Sequence, residues 1–586
     1  MLAHGERPVF GVRGTDGWRW ITYAELGRMV DAFRGALAQL GVGKGDRLAI
    51  VSRNRLEWAV GAYAAFGLGA AIVPMYEAQH PSDWRHILTD SGAKVCLVAD
   101  EVIAAKVREL GVTSLARAIV IDASPDDPLG YARLLEEGAR SPRPAVQPAP
   151  TDVAELIYTS GTTGTPKGVL LTHGNIVSNF RASLEIVPLD QETRTLAFLP
   201  WAHVFGGEEL HGVIAIGASM GICDSVDRLA EQLLEVRPTA LFAVPRVWNR
   251  IYQGLRARVD GRSPLVRAVF EAGRRVSRKA RHGDALGPAE RAELAVARRL
   301  VFSKVRARFG GRLEYAVSSA ATLSREVAEL IDDVGIVVLE AYGMTESSAC
   351  ATINPPRDRR IGSVGRAIPG VWIAIDESAP GSTGGDGEIV IYGHGVMAGY
   401  HALPEETAKV LTADGGLRSG DLGHLDADGF LYVTGRLKDL YKLENGKYVA
   451  PAPLEEKLTL SPLIAQSFVY GADRPHNVAL IVPDVAALRA RAERDGIEAP
   501  SLDALLVMPA VRALFAQEIE AFSTEFRGYE RIRAFALLPD PFSTDNGMLT
   551  PTLKVKRRAV VERYRARLEA LYAVAPAAER STAAHA

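Results

Sequence analysis

The chain has 586 residues, of which 47% are hydrophobic and 24% charged, and its formal net charge is −2. This length exceeds what one hydrophobic core serves, so we expect two or more folded units and a disordered Ala-rich tail over 574–586. The near-neutral charge argues against bulk nucleic-acid binding, and no feature indicates an obligate protein partner. Three widely spaced cysteines without CxxC spacing disfavour a disulfide framework or a structural zinc site. The sequence shows no basic-then-apolar leader, so we do not expect secretion. We therefore expect a cytoplasmic protein.

The first 150 residues alternate helical and strand patterns. Residues 23–40 carry apolar residues at helical spacing, with Thr22 as N-cap and Glu25 placed for a capping box. A strand over 47–52, a helix over 81–91 and a strand over 93–98 are predicted next. Such alternation predicts a mostly parallel sheet flanked by helices, and hence the α/β class.

Segment 58–75 raises the question of a membrane span, because its 18 residues carry no charge. Three glycines interrupt it, however, and Pro74 lies near its end. We predict instead a buried helix over 58–66 that leads into a buried strand over 70–73.

Changes in texture divide the remaining chain. A Pro-rich connection over 140–151 marks either a domain boundary or, as we prefer, a crossing over the surface of one domain. The α/β pattern continues to about Gly343, and short strands with Gly-rich turns after Ala351 predict a small β-rich subdomain. An α+β unit follows from Lys438 and ends on an amphipathic helix with one face formed by Val561, Tyr564, Leu568 and Tyr572. We predict a large N-terminal unit over 1–437 and a small α+β domain over 438–573.

Charge is concentrated in one helical segment. Residues 255–312 contain 16 Lys/Arg and 5 Asp/Glu, a local balance of +11, so the remainder carries −13. Two interpretations stay open: a solvated pair of helices, or a face that binds anionic lipid headgroups peripherally at the inner membrane surface. The cations that we would assign to the second are Arg274, Arg275, Arg278 and Lys279.

Segment 158–169, with the sequence YTSGTTGTPKGV, lies between two apolar strand patterns. Its glycines let the backbone approach a ligand with the N–H groups turned inward, and its hydroxyl side chains add donors. Lys167 adds a positive charge, so the segment predicts a polyphosphate-binding loop. Pro166 stands where GxxxxGK requires glycine, so this is not a Walker A loop.

Further distinctive segments follow in order along the chain. They are LPWAHVF (199–205), VPRVWNRIY (244–252), EAYGMTE (340–346), RSGDLG (418–423), GRLKD (435–439), YKLENGKYVAP (441–451) and NGMLTPTLKVKRR (546–558). With the Gly-rich loop they resemble the ordered motifs of the adenylate-forming superfamily, and most closely its long-chain acyl-CoA synthetases, over about 22–558. The resemblance implies a ligase that uses ATP, Mg²⁺ and coenzyme A to convert a long-chain fatty acid through acyl-AMP into acyl-CoA.

The resemblance also implies the nucleotide-binding residues. The phosphate loop would comprise Thr159, Ser160, Gly161, Thr162, Thr163, Gly164 and Lys167. The adenine and ribose would contact Ala320, Ala321, Tyr342, Gly343, Asp421 and Arg436. Thr345 would contact the α-phosphate, while Glu346 and Thr162 would hold Mg²⁺, which prefers few carboxylates together with phosphate oxygens.

The acyl and coenzyme A sites follow from the same resemblance. Lys554, with Lys556 as runner-up, would be the mobile catalytic lysine that bridges the carboxylate and the α-phosphate. Trp201, His203 and Phe205 would line the acyl pocket, with His203 beside the carboxylate. The C-terminal domain would rotate about a hinge at Lys438 and bring a pantetheine tunnel at Gly446 and Lys447 to the site.

One segment departs from the family pattern. Residues 318–323 read SSAATL, where many relatives carry Gly-Gly-Ala or Gly-Ala-Ala beside the adenine. Because serine adopts positive φ less readily than glycine, Ser319 predicts an altered backbone path or nucleotide affinity here.

Two other functions remain open. An acyl-AMP ligase that loads a carrier protein would share the fold, although the tunnel-like segment around Gly446 argues against it. A noncatalytic nucleotide- or lipid-binding relative would keep the fold without the chemistry. The expected catalytic and nucleotide-binding residues are all present, which argues against that function, whereas Ser319 keeps it open. These residues are Lys167, Glu346, Asp421, Arg436 and Lys554.

Overall fold

The structure is a computed structural model that describes residues 4–124, 126–159, 165–382, 384–550 and 553–573. Within these ranges the strands are β1 (Pro8–Gly14), β2 (Gly17–Thr22), β3 (Arg47–Val51), β4 (Ala71–Met75), β5 (Val95–Val98), β6 (Arg117–Val120), β7 (Val153–Thr159), β8 (Lys167–Thr172), β9 (Arg194–Ala197), β10 (Ser219–Ile222), β11 (Ala240–Ala243), β12 (Tyr315–Ser318), β13 (Val337–Tyr342), β14 (Thr352–Ile353), β15 (Arg366–Ala367), β16 (Val371–Asp376), β17 (Gly387–Gly393), β18 (Gly399–Tyr400), β19 (Leu417–Leu425), β20 (Leu431–Arg436), β21 (Tyr441–Lys442), β22 (Tyr448–Val449), β23 (Ile464–Tyr470), β24 (Asn477–Pro483) and β25 (Ile532–Leu537).

The helices of the same ranges are α1 (Tyr23–Gln39), α2 (Leu56–Phe66), α3 (Pro81–Ser91), α4 (Glu101–Glu109), α5 (Tyr131–Ala139), α6 (His173–Ile186), α7 (Val204–Ile216), α8 (Leu229–Val236), α9 (Pro245–Asp260), α10 (Pro264–Arg281), α11 (Pro288–Ala297), α12 (Ser303–Ala307), α13 (Arg325–Asp333), α14 (Pro404–Val410), α15 (Pro451–Leu458), α16 (Val485–Arg494), α17 (Leu502–Val507), α18 (Pro509–Ala521) and α19 (Arg557–Ala573). Short 3₁₀ turns lie at Val226–Arg228 and Thr345–Ser347, and a π-helical turn joins α11 to α12 at Arg298–Phe302.

Two sheets with parallel cores carry the N-terminal part of the chain. The larger has the order β18-β8-β7-β4-β3-β5-β6, and its strands from β7 to β6 run parallel. The second has the order β11-β12-β13-β14-β15 and is parallel from β11 to β13. The predicted α/β class is confirmed. Two further sheets complete this part. One has the order β2-β1-β10-β9, and the other is the antiparallel sheet β16-β17-β19-β20, which lies in the segment where a β-rich subdomain was predicted.

The first predicted helix shows how local sequence sets an element boundary. The Thr22 hydroxyl accepts from the Glu25 N–H, and the Glu25 carboxylate accepts from the Thr22 N–H at 2.7 Å, so the capping box is present. Such a cap contributes about 1 kcal/mol, since it satisfies N–H groups that have no partner inside the helix. The predicted helix over 81–91 is α3, and the predicted strands correspond to β3 and β5.

The uncharged segment 58–75 forms a helix and a strand of the core. It folds into most of α2 followed by β4, and Trp58 is fully buried at the centre of the hydrophobic core around them. Over the described ranges, none of the helices has both the length and the apolar character that a membrane crossing requires. The Pro-rich connection after α5 leads into β7, which pairs with β4, so it crosses the surface of one unit as preferred.

The C-terminal part builds its own core around the sheet β23-β24-β25. Its last helix, α19, packs the predicted apolar face on this sheet and is kinked at Tyr564, whose φ and ψ are −108° and 17°. The two parts of the chain touch: Lys457 of α15 pairs with Glu326 of α13, and the Gln253 amide donates to the Thr459 carbonyl at 2.7 Å.

Ion pairs neutralise much of the charge on the basic segment, which forms α9 to α12. Arg274 and Arg278 each bind the fully buried carboxylate of Asp333 at 3.0 Å. Arg275 pairs with Glu293 at 3.0 Å and Lys279 with Glu290 at 2.8 Å. The four cations that sequence analysis assigned to a lipid face therefore already have partners within the fold.

Candidate functional site

Side chains from distant segments converge at the ends of β13 and β20 and at the middle of β19. The Tyr342 hydroxyl, at the end of β13, donates to Asp421 Oδ2 at 3.0 Å. Asp421 faces Arg436 across the β19–β20 ladder, and the Arg436 Nε lies 3.4 Å from Asp421 Oδ1. Ligand sites of α/β folds lie at the carboxyl ends of parallel strands. Tyr342 is at the carboxyl end of β13, which pairs in parallel with β12. The structure thus brings together three of the residues predicted to hold the adenine and ribose.

Opposite charges shape the electrostatics of this cluster. Burial raises the Asp421 pKa, although the Arg436 guanidinium opposes the shift. Burial lowers the Lys554 pKa, and the positive Arg436 adds to this effect, whereas Asp421 and Glu346 oppose it. Protein atoms surround the Lys554 ammonium, whereas the residue as a whole is exposed to solvent. The predicted catalytic lysine is therefore within electrostatic reach of both predicted nucleotide-binding carboxylates.

The turn after β13 presents Thr345 and Glu346. The Tyr400 hydroxyl, on β18, donates to Glu346 Oε1 at 2.8 Å and leaves the other carboxylate oxygen available to a ligand. The buried Asn179 amide donates to the Cys350 carbonyl at 2.7 Å and so anchors the far side of this turn. Gly343 must be glycine, because a Cβ there would lie 2.1 Å from the Ala349 carbonyl oxygen.

The two strands of the Gly-rich hairpin are described, whereas its predicted residues Ser160, Gly161, Thr162, Thr163 and Gly164 lie outside the described residues. Thr159 ends β7 and is paired with Lys167 at the start of β8. The Lys167 ammonium forms an ion pair with Glu406 of α14 and lies 5.2 Å from the centre of the Tyr400 ring. A phosphate that binds Lys167 would therefore compete with the Glu406 carboxylate.

The departure at 318–323 takes a specific backbone form. Ala320, and not Ser319, adopts a positive φ of 74°. Ser319 is buried and lines a cavity next to the turn. The backbone at Ser319 therefore does not need the positive φ that serine disfavours, and the serine forms part of the cavity wall. Ala320 and Ala321 follow at the partly open end of the turn.

The three residues predicted to line the acyl pocket separate in the structure. Phe205 lines the cavity. Trp201 packs in the core instead of lining this cavity, with its ring centroid 5.8 Å from that of Phe10 and 5.6 Å from that of Trp58. His203 is the N-cap of α7, and its Nδ1 accepts from the Phe205 N–H at 3.2 Å. Burial and the nearby Lys554 charge lower the His203 pKa to about 4, so the ring is neutral with its proton on Nε2.

The predicted hinge and tunnel residues lie in the segments that link the two parts. Lys438 is exposed in the turn between β20 and β21. Gly446, with a φ of 83°, and Lys447 form the turn between β21 and β22, and the Lys447 ammonium lies 4.6 Å from the centre of the Tyr529 ring. Lys554, rather than this hairpin, adjoins the Asp421 cluster in the present arrangement.

The cavity follows one face of α7 and contains about 680 Å³ of space not filled by protein atoms, part of it open to solvent. Its walls are mostly apolar, including Phe205, Phe242 and Val317. Glu208 and Glu209 are two residues at this cavity that sequence reasoning missed. Two adjacent carboxylates inside the mostly apolar α7 sequence were the available signal. No comparable signal pointed to Tyr400 or Glu406, which reach the site only through tertiary contacts.

These residues fit ATP and Mg²⁺. No cluster of three or more metal-binding carboxylates, imidazoles and thiols occurs among the described residues. A single carboxylate such as Glu346, completed by phosphate oxygens and water, is a common way for proteins to hold Mg²⁺. The tyrosine, carboxylate and guanidinium at the end of β13 offer an aromatic surface, hydrogen-bond acceptors and positive charge to a nucleotide.

Comparisons with known proteins agree with this site. Residues 2–401 match the family described as AMP-binding enzyme, and residues 438–576 match the AMP-binding enzyme C-terminal domain. A long-chain-fatty-acid–CoA ligase of Mycobacterium bovis is 35% identical over 570 residues, which cover 95% of this chain and 92% of that protein. The peroxisomal long chain acyl-CoA synthetase 7 of Arabidopsis thaliana is 31% identical over 588 residues, covering 94% of this chain and 82% of that protein.

Solved structures show the same fold. The adenylation domain of a carboxylate reductase from Mycobacterium chelonae aligns with a TM-score of 0.80 at 26% identity, covering 98% of this chain and 90% of that chain. An anthranilate CoA ligase in complex with anthranoyl-AMP aligns with a TM-score of 0.73 at 21% identity, covering 97% and 95%. The chain therefore has the adenylate-forming fold, with a large N-terminal domain and a separate C-terminal domain, and it belongs to the AMP-binding enzyme family.

Proposed function

We propose that this protein activates long-chain fatty acids with ATP, forming acyl-AMP and pyrophosphate, and transfers the acyl group to coenzyme A with release of AMP. The observation that carries the proposal is the convergence of Glu346, Asp421, Arg436 and Lys554 near His203 at the start of α7, whose face lines the apolar cavity. The similar proteins named as long-chain-fatty-acid–CoA ligases support this activity.

The first half-reaction joins the fatty acid to AMP. A carboxylate oxygen bonds to the α-phosphorus of ATP while the bond from that phosphorus to the bridging oxygen breaks, and pyrophosphate leaves. Asp421 would accept the ribose hydroxyls, Tyr342 would lie against the adenine, and Thr345 would bind the α-phosphate. The neutral His203 can donate from Nε2 to the fatty-acid carboxylate, and the Lys554 ammonium would stabilise the negative charge between the carboxylate and the phosphate.

Metal binding would involve Glu346, with Thr162 from the Gly-rich loop. Bound Mg²⁺ would neutralise charge on the phosphate oxygens of ATP. The Tyr400 hydroxyl donates to Oε1 of Glu346, so Oε2 would be the oxygen offered to the metal. The Lys167 ammonium would leave Glu406 and bind the phosphates.

The second half-reaction transfers the acyl group. The coenzyme A sulfur bonds to the acyl carbon, the bond from that carbon to the phosphate oxygen breaks, and AMP and the thiol proton leave. We place the domain boundary at 437/438, with rotation about Lys438 removing Lys554 and bringing Gly446 and Lys447 to the site. The exposed turn at Lys438 supports this placement.

We also propose that the basic segment binds anionic membrane surfaces, from which long-chain substrates partition. The cations suited to this are Arg262, Arg267, Arg298 and Arg299, here called the arginine patch, which are exposed and make no ion pair within the described ranges. Exposed Leu265 and Leu300 lie beside them. Because α10 and α11 pack antiparallel, with Arg275 opposite Glu293, these residues share one end of the helical pair.

Release of pyrophosphate from ATP, measured with a panel of acids with and without coenzyme A, tests the proposal. Without coenzyme A, long-chain acids should give acyl-AMP and pyrophosphate. With coenzyme A, they should give acyl-CoA. Acyl-AMP that coenzyme A does not consume would indicate a ligase that loads a carrier protein. The absence of pyrophosphate release with every acid would indicate a noncatalytic relative.

A further inference from the structure

The acyl cavity follows a single face of α7. Six residues of this helix line it at spacings of three and four, as one helical face requires: Phe205, Glu208, Glu209, Gly212, Val213 and Ile216. From first to last they span about 16 Å along the helix axis at 1.5 Å per residue. A Cβ at Gly212 would meet no atom within 4 Å, so this position leaves the cavity open beyond the two glutamates.

Two carboxyl groups therefore lie partway along an apolar channel. Glu208 Oε1 accepts from the Ser183 hydroxyl at 3.3 Å, and burial raises the Glu208 pKa to about 8. Glu209 is 2% exposed, and burial raises its pKa to about 8 against a smaller opposite effect of the Thr195 hydroxyl. Neither Glu209 carboxyl oxygen has a hydrogen-bond partner of good geometry in the part of the chain that is described.

Buried polar groups without partners are expensive, commonly about 1–3 kcal/mol each. Here they adjoin an unfilled cavity whose wall also carries the hydroxyls of Thr193 and Ser319. An unsubstituted alkyl chain in this cavity would leave the Glu209 carboxyl without a partner and Glu208 with only the Ser183 hydroxyl. A protonated carboxyl group can both donate and accept, which matches an uncharged oxygen function. The apolar walls disfavour a cationic group, because a charge loses its hydration there.

We infer that the preferred substrate is a fatty acid whose chain carries a hydroxyl or oxo group, and that the adjacent carboxyl groups of Glu208 and Glu209 select it. The inference rests on the proposed function, since it names the class of acid that the same site activates. Glu208 lies five residues beyond His203, or about 7.5 Å along the α7 axis, so the oxygen function belongs several carbons from the carboxylate.

The test compares straight-chain acids of equal length without a substituent, with a hydroxyl at successive chain positions, and with an amine at the best of these positions. The kcat/KM for thioester formation should be at least about tenfold higher for the best hydroxy acid, because sites built to bind a hydroxyl reject analogues that lack it. Glu208→Leu should remove this preference, and Glu208→Gln, which still donates and accepts, should retain part of it. Val213→Ala is the matched control, expected to change the rates for all acids alike.

Binding of the same acids, measured by calorimetry, separates the proposed activity from the proposed hydroxyl selectivity, because binding can be measured without turnover. A hydroxyl preference in binding without acyl-AMP formation would overturn the proposed activity and show that the cavity still selects the hydroxylated chain. Equal use of hydroxylated and unsubstituted acids, unchanged in Glu208→Gln, would overturn the inference and leave the activity intact. A preference for the fatty acid that carries an amine on its chain would also overturn the inference. If Glu208→Leu does not fold, the inference is tested by the selectivity of the wild-type enzyme and of Glu208→Gln.

Discussion

Replacing Lys554 with alanine removes one positive charge from the cleft beside Asp421, Arg436 and Glu346. Its expected effect on folding is small, because the local turn is held by main-chain groups. The Thr550 N–H donates to the Lys554 carbonyl at 2.8 Å, and the Lys554 N–H donates to the Thr550 hydroxyl at 3.0 Å. Alanine keeps both, so the free energy of unfolding should change by less than about 0.5 kcal/mol.

The expected effect on adenylation is large. Lys554 keeps solvent contact, so an effective dielectric constant near 20 applies, and a charge pair about 4 Å apart is then worth about 4 kcal/mol. Removing one preorganised group of this kind typically lowers kcat by about 10²–10³. Arg436 remains in place and should moderate the loss. We therefore expect pyrophosphate–ATP exchange to fall by about two to three orders of magnitude.

The second half-reaction supplies the control within the same variant. Acyl-AMP provided with coenzyme A should give thioester at nearly the wild-type rate, because Lys554 would leave the site before transfer. Lys556→Ala is the matched substitution, two residues away, exposed and outside the charge cluster, and should affect neither half-reaction. Equal loss of both half-reactions in Lys554→Ala, or a larger loss of exchange in Lys556→Ala, would refute the assignment.

Three other predictions concern the metal, the phosphate loop and the membrane. Glu346→Gln should weaken the apparent Mg²⁺ affinity at least about tenfold, since an amide is a poor ligand for a hard cation; Tyr400→Phe keeps the carboxylate and serves as the control in the same titration. Glu406→Gln should lower the KM for ATP by up to about fivefold, because the competing ion pair of Lys167 is partly exposed and worth at most about 1 kcal/mol; an unchanged KM would show that this pair does not compete with ATP. Charge reversal of the arginine patch should reduce sedimentation with anionic liposomes while sparing activity on a soluble medium-chain acid, and wild-type binding should weaken as salt rises. Equal binding to neutral liposomes would leave the segment as a solvated helical pair.

Local rules predicted the elements whose determinants are close in sequence. The capping box of Thr22 and Glu25, the helix that starts at Pro81 and the buried strands of the parallel sheet follow from three-residue spacings and apolar runs. The motif residues Tyr342, Asp421 and Arg436 also meet as the family resemblance implied.

Features set by distant contacts could not be found in this way. Trp201 lies within a motif, yet its surroundings come from Phe10 and Trp58, far away in sequence. Sequence analysis left open whether Arg274 and Arg278 are solvated or face lipid, but a single buried carboxylate, Asp333, binds both from 59 and 55 residues away. The position of the positive φ is another such case, since the packing of the turn places it at Ala320 rather than Ser319. Charge balance and motif spacing carry no information about such partners.

Oxygen tracing tests the acyl-adenylate account most directly. A long-chain fatty acid labelled with ¹⁸O in its carboxylate is converted with ATP and coenzyme A, and the AMP and pyrophosphate are analysed by mass spectrometry. The carboxylate oxygen bonds to the α-phosphorus and stays on it when the thiol takes the acyl group, so the AMP should carry one ¹⁸O atom and the pyrophosphate none. Label in pyrophosphate or in inorganic phosphate, or unlabelled AMP formed together with acyl-CoA, would contradict the proposed reaction.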